Sequence, residues 1–404
     1  MPTFESLDNQ EVRLLKRHHN TVFILLLVLG VVCASCSNPR ASSETLEIGE
    51  NGEQMPEDMV WSVYDINAGG YAEASAVANE ITEEYGTQIR MLPSSSGVGR
   101  MMPLYLGDAD VGKIGDEVKF AFEGTEEFFD LGWGPQDMRA LWAPISPFGI
   151  AVREDSNIES IEDLEGMRVP HISGNTSINI KTESMLAFGG LTLDDVDVVE
   201  FNDYGGQGEA LIQGELDIAS INPQAGGMFE ADSLEGIRWL QMPASDEGGW
   251  DRVHDVASWF NPREIDDGAG MTDDNEILGH AYLFAGYADQ DEEDMYAFTK
   301  SMVEQYENYE GATANMWTYH PDEIVTSPAA MGVPFHEGSI RYLDEIGLWD
   351  EQKQEENDAL IERQEDLQEA WTIVEEEAEE MNLSEDEHEE HWLERKEELV
   401  PEEF

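Results

Sequence analysis

Residues 59–98 read MVWSVYDINAGGYAEASAVANEITEEYGTQIRMLPSSSGV, and this stretch indicates the fold. An apolar, β-rich run at 59–66 ends in a Gly-rich loop, and apolar residues at 71–85 then recur at the spacing of one helix face. Gly86 is predicted to end that helix, and a second strand follows at 88–92. This alternation of strand, loop and helix predicts a parallel sheet covered by helices.

The same alternation continues along the chain. A third strand is predicted at 110–114, and later strands are predicted at 148–153, 167–172, 196–201, 216–221 and 237–242. These elements predict two α/β lobes, residues 58–147 and 148–245, with a return to the first lobe over 246–348 that includes a strand at 279–287 and a helix at 292–309. Crossovers near 145–150 and 245–285 are the expected hinge between the lobes.

The last stretch, residues 349–404, has a different character. Apolar residues recur there at helical spacing among many acids, and Ser384 with Glu387 forms a capping-box pattern. The sequence therefore predicts acidic, amphipathic C-terminal helices as an extension of the lobes. They either pack on the body, dock on a partner or fray.

Negative charge dominates the composition of the 404-residue chain. The 88 Asp and Glu residues against 21 Lys and Arg give a formal net charge of −67, spread along the whole sequence. A nucleic-acid partner is excluded, because binding to phosphates needs basic patches. The acidity is typical of adaptation to a salty, halophilic environment, where ions screen the self-repulsion. A cation-binding protein is the alternative interpretation.

The N-terminus is predicted to be a lipoprotein-type signal peptide over residues 1–36. Lys16 and Arg17 precede an apolar run at 22–32, which is shorter than the roughly 20 residues that span a bilayer. Cys36 then follows small residues and is the predicted lipidation site. An ordinary cleaved signal and an uncleaved anchor are the alternatives.

Residues 37–57 are polar and are expected to form a flexible tether. The protein is therefore expected to be exported, and to be anchored to the outer face of the cytoplasmic membrane or held in the periplasm. Cys33 and Cys36 are the only cysteines of the sequence, so the folded body can hold no disulfide of its own.

Polar loops are expected to form a ligand site, because ligands of open α/β sheets bind where strands end and helices begin. The unpaired N–H groups of a helix N-terminus attract carboxylates and phosphates. The predicted ligand-binding residues are Asn67, Gly70, Tyr71, Ser94, Ser95, Ser96, Gly97, Arg100, Asn175, Thr176, Ser177, Asn222 and Gln224.

Each of these assignments has an alternative. Arg100 either pairs with a ligand carboxylate or neutralises a neighbouring acid on the surface. Asn67 and Tyr71 either contact the ligand or form an ordinary turn with a buried ring. Asn222 and Gln224 either contact the ligand or cap a helix.

Enzymatic sites find little support in the sequence. The loop at 94–99 does not form a Gly-x-Ser-x-Gly elbow, and the nine histidines are scattered. No dinucleotide-binding or Walker pattern opens a helix. His388 and His391 could bind a metal weakly, but a solvated helix face is the favoured interpretation. The sequence therefore predicts neither catalytic residues, nor a cofactor, nor a metal.

Several short motifs together resemble the TAXI class of TRAP-transporter solute receptors over residues 58–345. They are Gly69-Gly70-Tyr71, Ser96-Gly97-Val98, Gly107-Asp108-Ala109-Asp110, Ile161-Glu162-Asp163-Leu164-Glu165-Gly166, Ser173-Gly174-Asn175-Thr176, Gly189-Gly190-Leu191-Thr192 and Gly214-Glu215-Leu216-Asp217-Ile218-Ala219. The resemblance implies a type II periplasmic-binding-protein fold, no cofactor, and delivery of the solute to integral membrane permease subunits. The sequence departs from the family at Gly99-Arg100, where Glu-Asn is usual, and at Ser173-Gly174-Asn175-Thr176, where Gly-Ser-Gly-Thr is usual.

The leading functional hypothesis is an extracytoplasmic receptor for a small organic anion, either a dicarboxylate or an amino acid such as glutamate. An ABC-type receptor for a nitrate-like, sulfonate or phosphonate ligand is an alternative on the same fold. A cell-surface interaction protein that works through its acidic C-terminal helices is a further alternative, and an enzyme on this fold is the remaining one.

Overall fold

The computed structural model describes residues 46–48, 53–66, 68–202, 204–272 and 275–400. The predicted signal peptide, the lipidation site Cys36 and the predicted ligand residue Asn67 lie outside these ranges. None of the helices in the described part of the chain has the length and apolar character needed to cross a membrane.

The first lobe starts with a short hairpin and then alternates strands and helices. Its first part consists of β1 (Leu46–Ile48), β2 (Glu53–Met55), β3 (Asp58–Val63), α1 (Gly69–Tyr85), β4 (Gln88–Pro93), α2 (Gly97–Tyr105), β5 (Val111–Ile114), α3 (Glu117–Glu123), α4 (Glu127–Asp130) and β6 (Met138–Trp142). Gly86 ends α1 with a φ of 76°, a left-handed conformation that favours glycine, which confirms the predicted helix end.

The second lobe spans residues 145–281. It consists of β7 (Ile145–Arg153), β8 (Arg168–Ile172), α5 (Thr176–Phe188), β9 (Asp197–Phe201), α6 (Gln207–Gln213), β10 (Ala219–Ile221), α7 (Gly226–Glu235), β11 (Ile237–Trp239), α8 (Glu247–Val256), β12 (Asn261–Ile265) and β13 (Asn275–Ala281), with 3₁₀ turns at Ile161–Leu164 and Leu193–Asp195.

The chain then returns to the first lobe and ends in a helical extension. These parts consist of β14 (Leu283–Tyr287), α9 (Glu292–Glu304), α10 (Tyr306–Tyr309), a 3₁₀ turn at Met316–Tyr319, α11 (Pro328–Met331), α12 (Glu337–Glu345), α13 (Glu351–Met381) and α14 (Glu385–Leu399). The fold is therefore mixed α/β, with two lobes and a C-terminal helical extension, as the sequence predicted.

The sheets are less parallel than predicted. In the first lobe the strand order is β4-β3-β5-β14-β6, where β3 is parallel to β4 and β5, but β14 is antiparallel to both of its neighbours. In the second lobe, β7 pairs with β10, β11 and β13, and β13 pairs with β12, always antiparallel. Only β8 and β9 form a parallel pair among the described strands of that lobe. Apolar periodicity cannot distinguish these directions, because it reports which face is buried and not which strand lies alongside.

The predicted strand at 279–287 is in fact two strands in different sheets. It breaks at Tyr282, so that β13 belongs to the second lobe and β14 to the first. The return to the first lobe therefore comes at Leu283 and not at 246. Trp250 and Val253 of α8 pack in the core of the second lobe, which explains why the intervening segment stays there.

Two short connections run side by side between the lobes. One joins β6 to β7 through residues 143–144, and the other joins β13 to β14 through Tyr282. The N–H of Tyr282 donates to the carbonyl of Pro144 at 2.9 Å. This geometry places the candidate hinge at residues 143–144 and 282. Tyr282 lies within the expected crossover region 245–285, and residues 143–144 lie just before the expected region 145–150.

The C-terminal helices pack on the first lobe. Leu367, Val374 and Trp392 are buried in its core. The indole N–H of Trp392 donates to the carbonyl of Gly124 at 2.9 Å. Ser384 forms the predicted capping box at the start of α14. Of the three sequence-based alternatives, packing on the body is the one that the described residues adopt.

Candidate functional site

A cavity lies between the two lobes, next to the paired connections, and the space within its outline, part of it open to solvent, is about 590 Å³. Both lobes contribute to its wall. The first lobe and its connection contribute Tyr64, Ala68, Gly69, Gly70, Glu73, Arg100, Gly115, Glu117 and Tyr282; the second lobe contributes Ser146, Phe148, Asn175, Ser177, Ile178, Lys181, Tyr204, Asn222, Ala225 and His280. We call this space the interlobe cavity.

Two helices begin at the interlobe cavity without a side-chain cap. They are α1, preceded by Ala68, and α7, preceded by Ala225, and one comes from each lobe. The first N–H groups of a helix lack intrahelical partners and carry a partial positive charge. Because the residues here are Ala and Gly, a solute can approach this backbone closely.

The helices that begin after the predicted ligand residues Ser96 and Asn175 are capped by these side chains. The Ser96 hydroxyl accepts from the N–H of Gly99 at 3.1 Å at the start of α2. The Asn175 amide oxygen accepts from the N–H of Ile178 at 3.3 Å at the start of α5. Part of the donor capacity expected for a solute is therefore already used at both positions.

Arg100 lies in the wall of the interlobe cavity and pairs there with Glu117. Both side chains are only 1% exposed. The guanidinium also lies over the ring of Tyr64, 4.1 Å from its centroid, and the second Glu117 oxygen accepts from the N–H of Gly115 at 3.0 Å. Arg100 therefore neutralises a neighbouring acid, but it does so in the site and not on the surface.

A second buried ion pair crosses from lobe to lobe. Lys181 of α5 donates to Asp116, which directly precedes α3 of the first lobe. The same carboxylate accepts from the Ser177 hydroxyl at 3.0 Å and from the indole N–H of Trp259 at 2.9 Å. Asn175 adds a further bridge between the lobes, because its amide donates to the Tyr64 hydroxyl at 2.7 Å.

A third cation lies behind the wall. The Lys113 ammonium is 3.8 Å from Glu73 and donates to the carbonyl of Tyr282 in the hinge. Burial lowers the pKa of Lys113 to about 7, although Glu73 opposes this shift. Glu73 in turn accepts from the Tyr319 hydroxyl at 2.8 Å.

Polar groups of the second lobe complete the wall. The Asn222 amide donates to the Ser146 hydroxyl at 3.0 Å, and the backbone N–H of Asn222 donates to the Tyr204 hydroxyl at 3.0 Å. Both hydroxyls act as acceptors in these bonds, so their own protons can be donated to a solute.

His280 supplies a hydrogen-bond acceptor in the wall of the interlobe cavity. Burial holds the pKa of its imidazole well below the usual value, and the ring is therefore neutral. Its Nδ1 lies 3.1 Å from the carbonyl of Ala281. A carbonyl only accepts, so Nδ1 carries the proton and Nε2 remains an acceptor.

The predicted ligand residues divide into two groups in the structure. Those in the wall of the interlobe cavity are Gly70, Arg100, Asn175, Ser177 and Asn222. Those outside the described wall are Tyr71, Ser94, Ser95, Ser96, Gly97, Thr176 and Gln224.

Local contacts explain four members of the second group. The Ser94 and Ser96 hydroxyls crowd against Gly99 at the start of α2, and the Gln224 N–H donates to the Asn222 side chain at 2.7 Å in a local turn. Tyr71 packs against the core of the first lobe, which was its alternative interpretation.

Sequence reasoning missed several residues of the wall. They include Tyr64, Glu117, Lys181, Tyr204, His280 and Tyr282. Tyr64 and Tyr282 follow strands directly, and this position was a usable signal. Lys181 lies inside α5 and Glu117 in the first turn of α3, so only their tertiary contacts, with Asp116 and with Arg100, reveal them.

The two C-terminal histidines face acids of the neighbouring helix α13. His391 lies 2.8 Å from Glu377, and His388 lies 3.4 Å from Glu375. Among the described residues, no group of three or more His, Cys, Asp or Glu side chains is arranged to hold a metal ion.

Comparison with known proteins gives one family match. Residues 69–347 match the model of the NMT1-like family. Among solved structures, the periplasmic aliphatic sulphonate binding protein from Escherichia coli is similar at 17% identity and a TM-score of 0.42, with 72% of this chain and 79% of that chain covered.

Two further structures show the same level of similarity. The alkanesulfonate-binding protein from Xanthomonas axonopodis pv. citri, bound to MOPS, is 15% identical with a TM-score of 0.40, over 74% of this chain and 96% of that one. An ancestral arginine-binding protein bound to arginine is 16% identical with a TM-score of 0.40, over 64% and 97%.

Proposed function

The chain belongs to the NMT1-like family, and on that premise we propose that it is an exported solute-binding receptor that encloses a small organic anion between its two lobes. The proposed solute is a dicarboxylate or an amino acid such as glutamate. The proposed destination of the solute is the integral membrane subunits of a TAXI-type TRAP transporter, in keeping with the motifs around Gly70, Asn175 and Gly214.

The observation that carries this proposal is the interlobe cavity. Both lobes form its wall, and two short connections join them beside it. Such an arrangement suits a protein that opens by hinge rotation, admits a solute and closes around it.

The polar groups of the wall support an anion. The uncapped N-termini of α1 and α7 present backbone donors from opposite lobes, and the Ser146 and Tyr204 hydroxyls have protons to donate. The apolar faces of Phe148 and Ile178 suit the carbon chain of an organic solute rather than a bare inorganic ion.

Export and anchoring form a separate part of the proposal. We infer from the sequence that residues 1–36 direct export and that Cys36 carries a lipid. Detergent partitioning of the natural protein tests this: the parent should enter the detergent phase, and Cys36→Ser should remain in the aqueous phase. Equal partitioning of the two proteins would contradict lipidation.

A thermal-shift screen in high salt tests the solute. The panel comprises dicarboxylates, amino acids, sugars, sulfonates and phosphonates. A true solute at about 100 times its Kd should stabilise the protein by about 2.7 kcal/mol. Carboxylates or amino acids are expected to act, whereas a response confined to sulfonates or phosphonates would favour an ABC-type receptor.

Site variants then connect any response to the interlobe cavity. Asn222→Ala removes an amide that holds Ser146 in the wall and should weaken the response. Asn261→Ala changes an exposed asparagine on β12 and should leave it intact. A response that survives Asn222→Ala unchanged would place the solute elsewhere.

A further inference from the structure

The carboxylate of Asp116 joins the two lobes by side-chain contacts. Asp116 belongs to the first lobe and is only 4% exposed. It accepts hydrogen bonds from three residues of the second lobe, namely Ser177, Lys181 and Trp259. These donors come from two separate segments of the second lobe, α5 and the turn before β12. The carboxylate therefore binds to two parts of that lobe and not to a single loop.

Lys181 is fully committed to this contact although it lines the interlobe cavity. Its ammonium donates to Asp116, to the Ser177 carbonyl at 2.8 Å and to the Ser177 hydroxyl at 2.9 Å. An ammonium has three N–H donors, and three acceptors are present. Lys181 therefore has no donor left for a solute while the lobes are in this arrangement.

Neighbouring contacts reinforce the same junction. The Lys119 ammonium of α3 lies over the ring of Trp259, 4.2 Å from its centroid. The side chains of Asp116 and Lys181 are 2% and 1% exposed. Salt screens such a buried ion pair far less than an exposed one. The attraction between Asp116 and Lys181 is therefore retained at the high ionic strength that suits an acidic surface.

We propose that Asp116 is an interlobe latch, a positioning residue that keeps the two lobes closed even without solute. Its carboxylate replaces the bridging contacts that a solute would make between the lobes. Opening requires separation of Asp116 from Lys181, which leaves two buried charges to be solvated. The closed arrangement is therefore the resting state, and solute enters through a minor open population.

The test measures the interlobe distance without any solute, so its outcome is independent of the proposed function. Spin labels are placed on cysteines that replace two exposed residues, Glu83 of α1 and Glu230 of α7, in the full chain with Cys33→Ser and Cys36→Ser. Pulsed electron paramagnetic resonance then gives the distance distribution. The parent should show one dominant distance.

Asp116→Asn keeps the shape of the side chain but removes its charge. It should increase the population at other distances at least fivefold. The matched control is Asp217→Asn, which removes a carboxylate paired with Arg168 inside the second lobe and should leave the distribution unchanged. The latch is refuted if Asp116→Asn and Asp217→Asn give the same distribution, or if the parent is already broadly distributed.

A milder variant guards against misfolding. Trp259→Phe removes one donor to Asp116 and keeps the charge pair. It should shift the distribution in the same direction as Asp116→Asn, but less. If Asp116→Asn fails to fold, a Trp259→Phe distribution identical to that of the parent overturns the proposal.

Discussion

Arg100 and Glu117 form an ion pair inside the interlobe cavity, with each side chain only 1% exposed. Arg100 is therefore already paired with a carboxylate of the protein and is not simply a cation available to an anionic solute. The guanidinium already has a carboxylate partner and the face of Tyr64. Any solute that uses Arg100 must share it with Glu117 or displace that side chain.

Loss of Arg100 should therefore affect both stability and binding. Arg100→Met leaves Glu117 buried without its partner, and removal of one member of a buried pair costs about 3–5 kcal/mol. The double variant Arg100→Met/Glu117→Gln should recover a large part of that loss in urea unfolding. Equal stability of the single and double variants would contradict the pairing.

A second substitution of this residue tests whether Arg100 also contacts the solute. If it does, Arg100→Ala should weaken the affinity for a carboxylate solute at least tenfold, which corresponds to about 1.4 kcal/mol. Isothermal titration calorimetry with the solute found in the screen measures this. An unchanged affinity would restrict Arg100 to a structural role.

Two adjacent glycines at the start of α1 provide a matched pair. A β-carbon on Gly70 would stand 2.5 Å from a ring carbon of Tyr282, whereas one on Gly69 would meet nothing within 4 Å. Gly70→Ala should push the Tyr282 ring in the cavity wall and reduce solute affinity more than tenfold. Gly69→Ala should bind normally, and equal effects of the two variants would show that Tyr282 adjusts freely.

Glu127 should make stability depend on pH near neutrality. Burial raises the pKa of its carboxyl to about 7, and the nearby Glu117 carboxylate adds to the effect. In the unfolded chain this group loses its proton near pH 4.5, so the folded state loses stability as the pH rises from about 4.5 to 7. Glu127→Gln should therefore stabilise the protein at pH 8 by about 1–3 kcal/mol and have little effect at pH 4.

The control for this prediction is Glu362→Gln, which changes an exposed glutamate of α13. Its stability relative to the parent should not vary between the two pH values. Parallel pH profiles of Glu127→Gln and the parent would show that folding does not raise the pKa of Glu127.

The C-terminal helices should contribute to stability through buried ion pairs of Arg363 and Lys396 with Glu123, which we call the clamp on Glu123. Arg363 of α13 donates twice to Glu123 at 2.9 Å, and Lys396 of α14 adds a contact at 3.2 Å. Although burial opposes ionisation, these cations lower the pKa of Glu123 to about 2. Arg363→Met should destabilise the protein by about 3–5 kcal/mol in thermal or urea unfolding.

An exposed arginine gives the comparison. Arg341 bonds two glutamates whose side chains are 49% and 76% exposed, so Arg341→Met should cost less than about 1 kcal/mol. If the two substitutions cost the same, the C-terminal helices are held by apolar packing and not by the clamp on Glu123.

Much of the fold followed from local patterns. The strand–helix rhythm, the end of α1 at Gly86 and the capping box at Ser384 all depend on residues close together in the chain, and the structure confirms them. The pairing directions of the second-lobe sheet did not follow, because antiparallel and parallel neighbours bury the same alternating side chains.

The candidate site was only partly predictable for the same reason. Gly70, Asn175 and Asn222 follow or begin elements at the edge of the sheets, where ligand loops are expected, and they line the interlobe cavity. Lys181 and Asp116, in contrast, are 65 residues apart in the chain and meet only through the tertiary contact between the lobes.

The sequence by itself determined the acidic surface, the two α/β lobes and the positions of their polar loops, because composition and periodicity encode burial locally. Tertiary structure alone decided which helix N-termini face the interlobe cavity, which cations already have partners and where the lobes join. Those outcomes depend on contacts between residues far apart in the chain, and no local pattern records them.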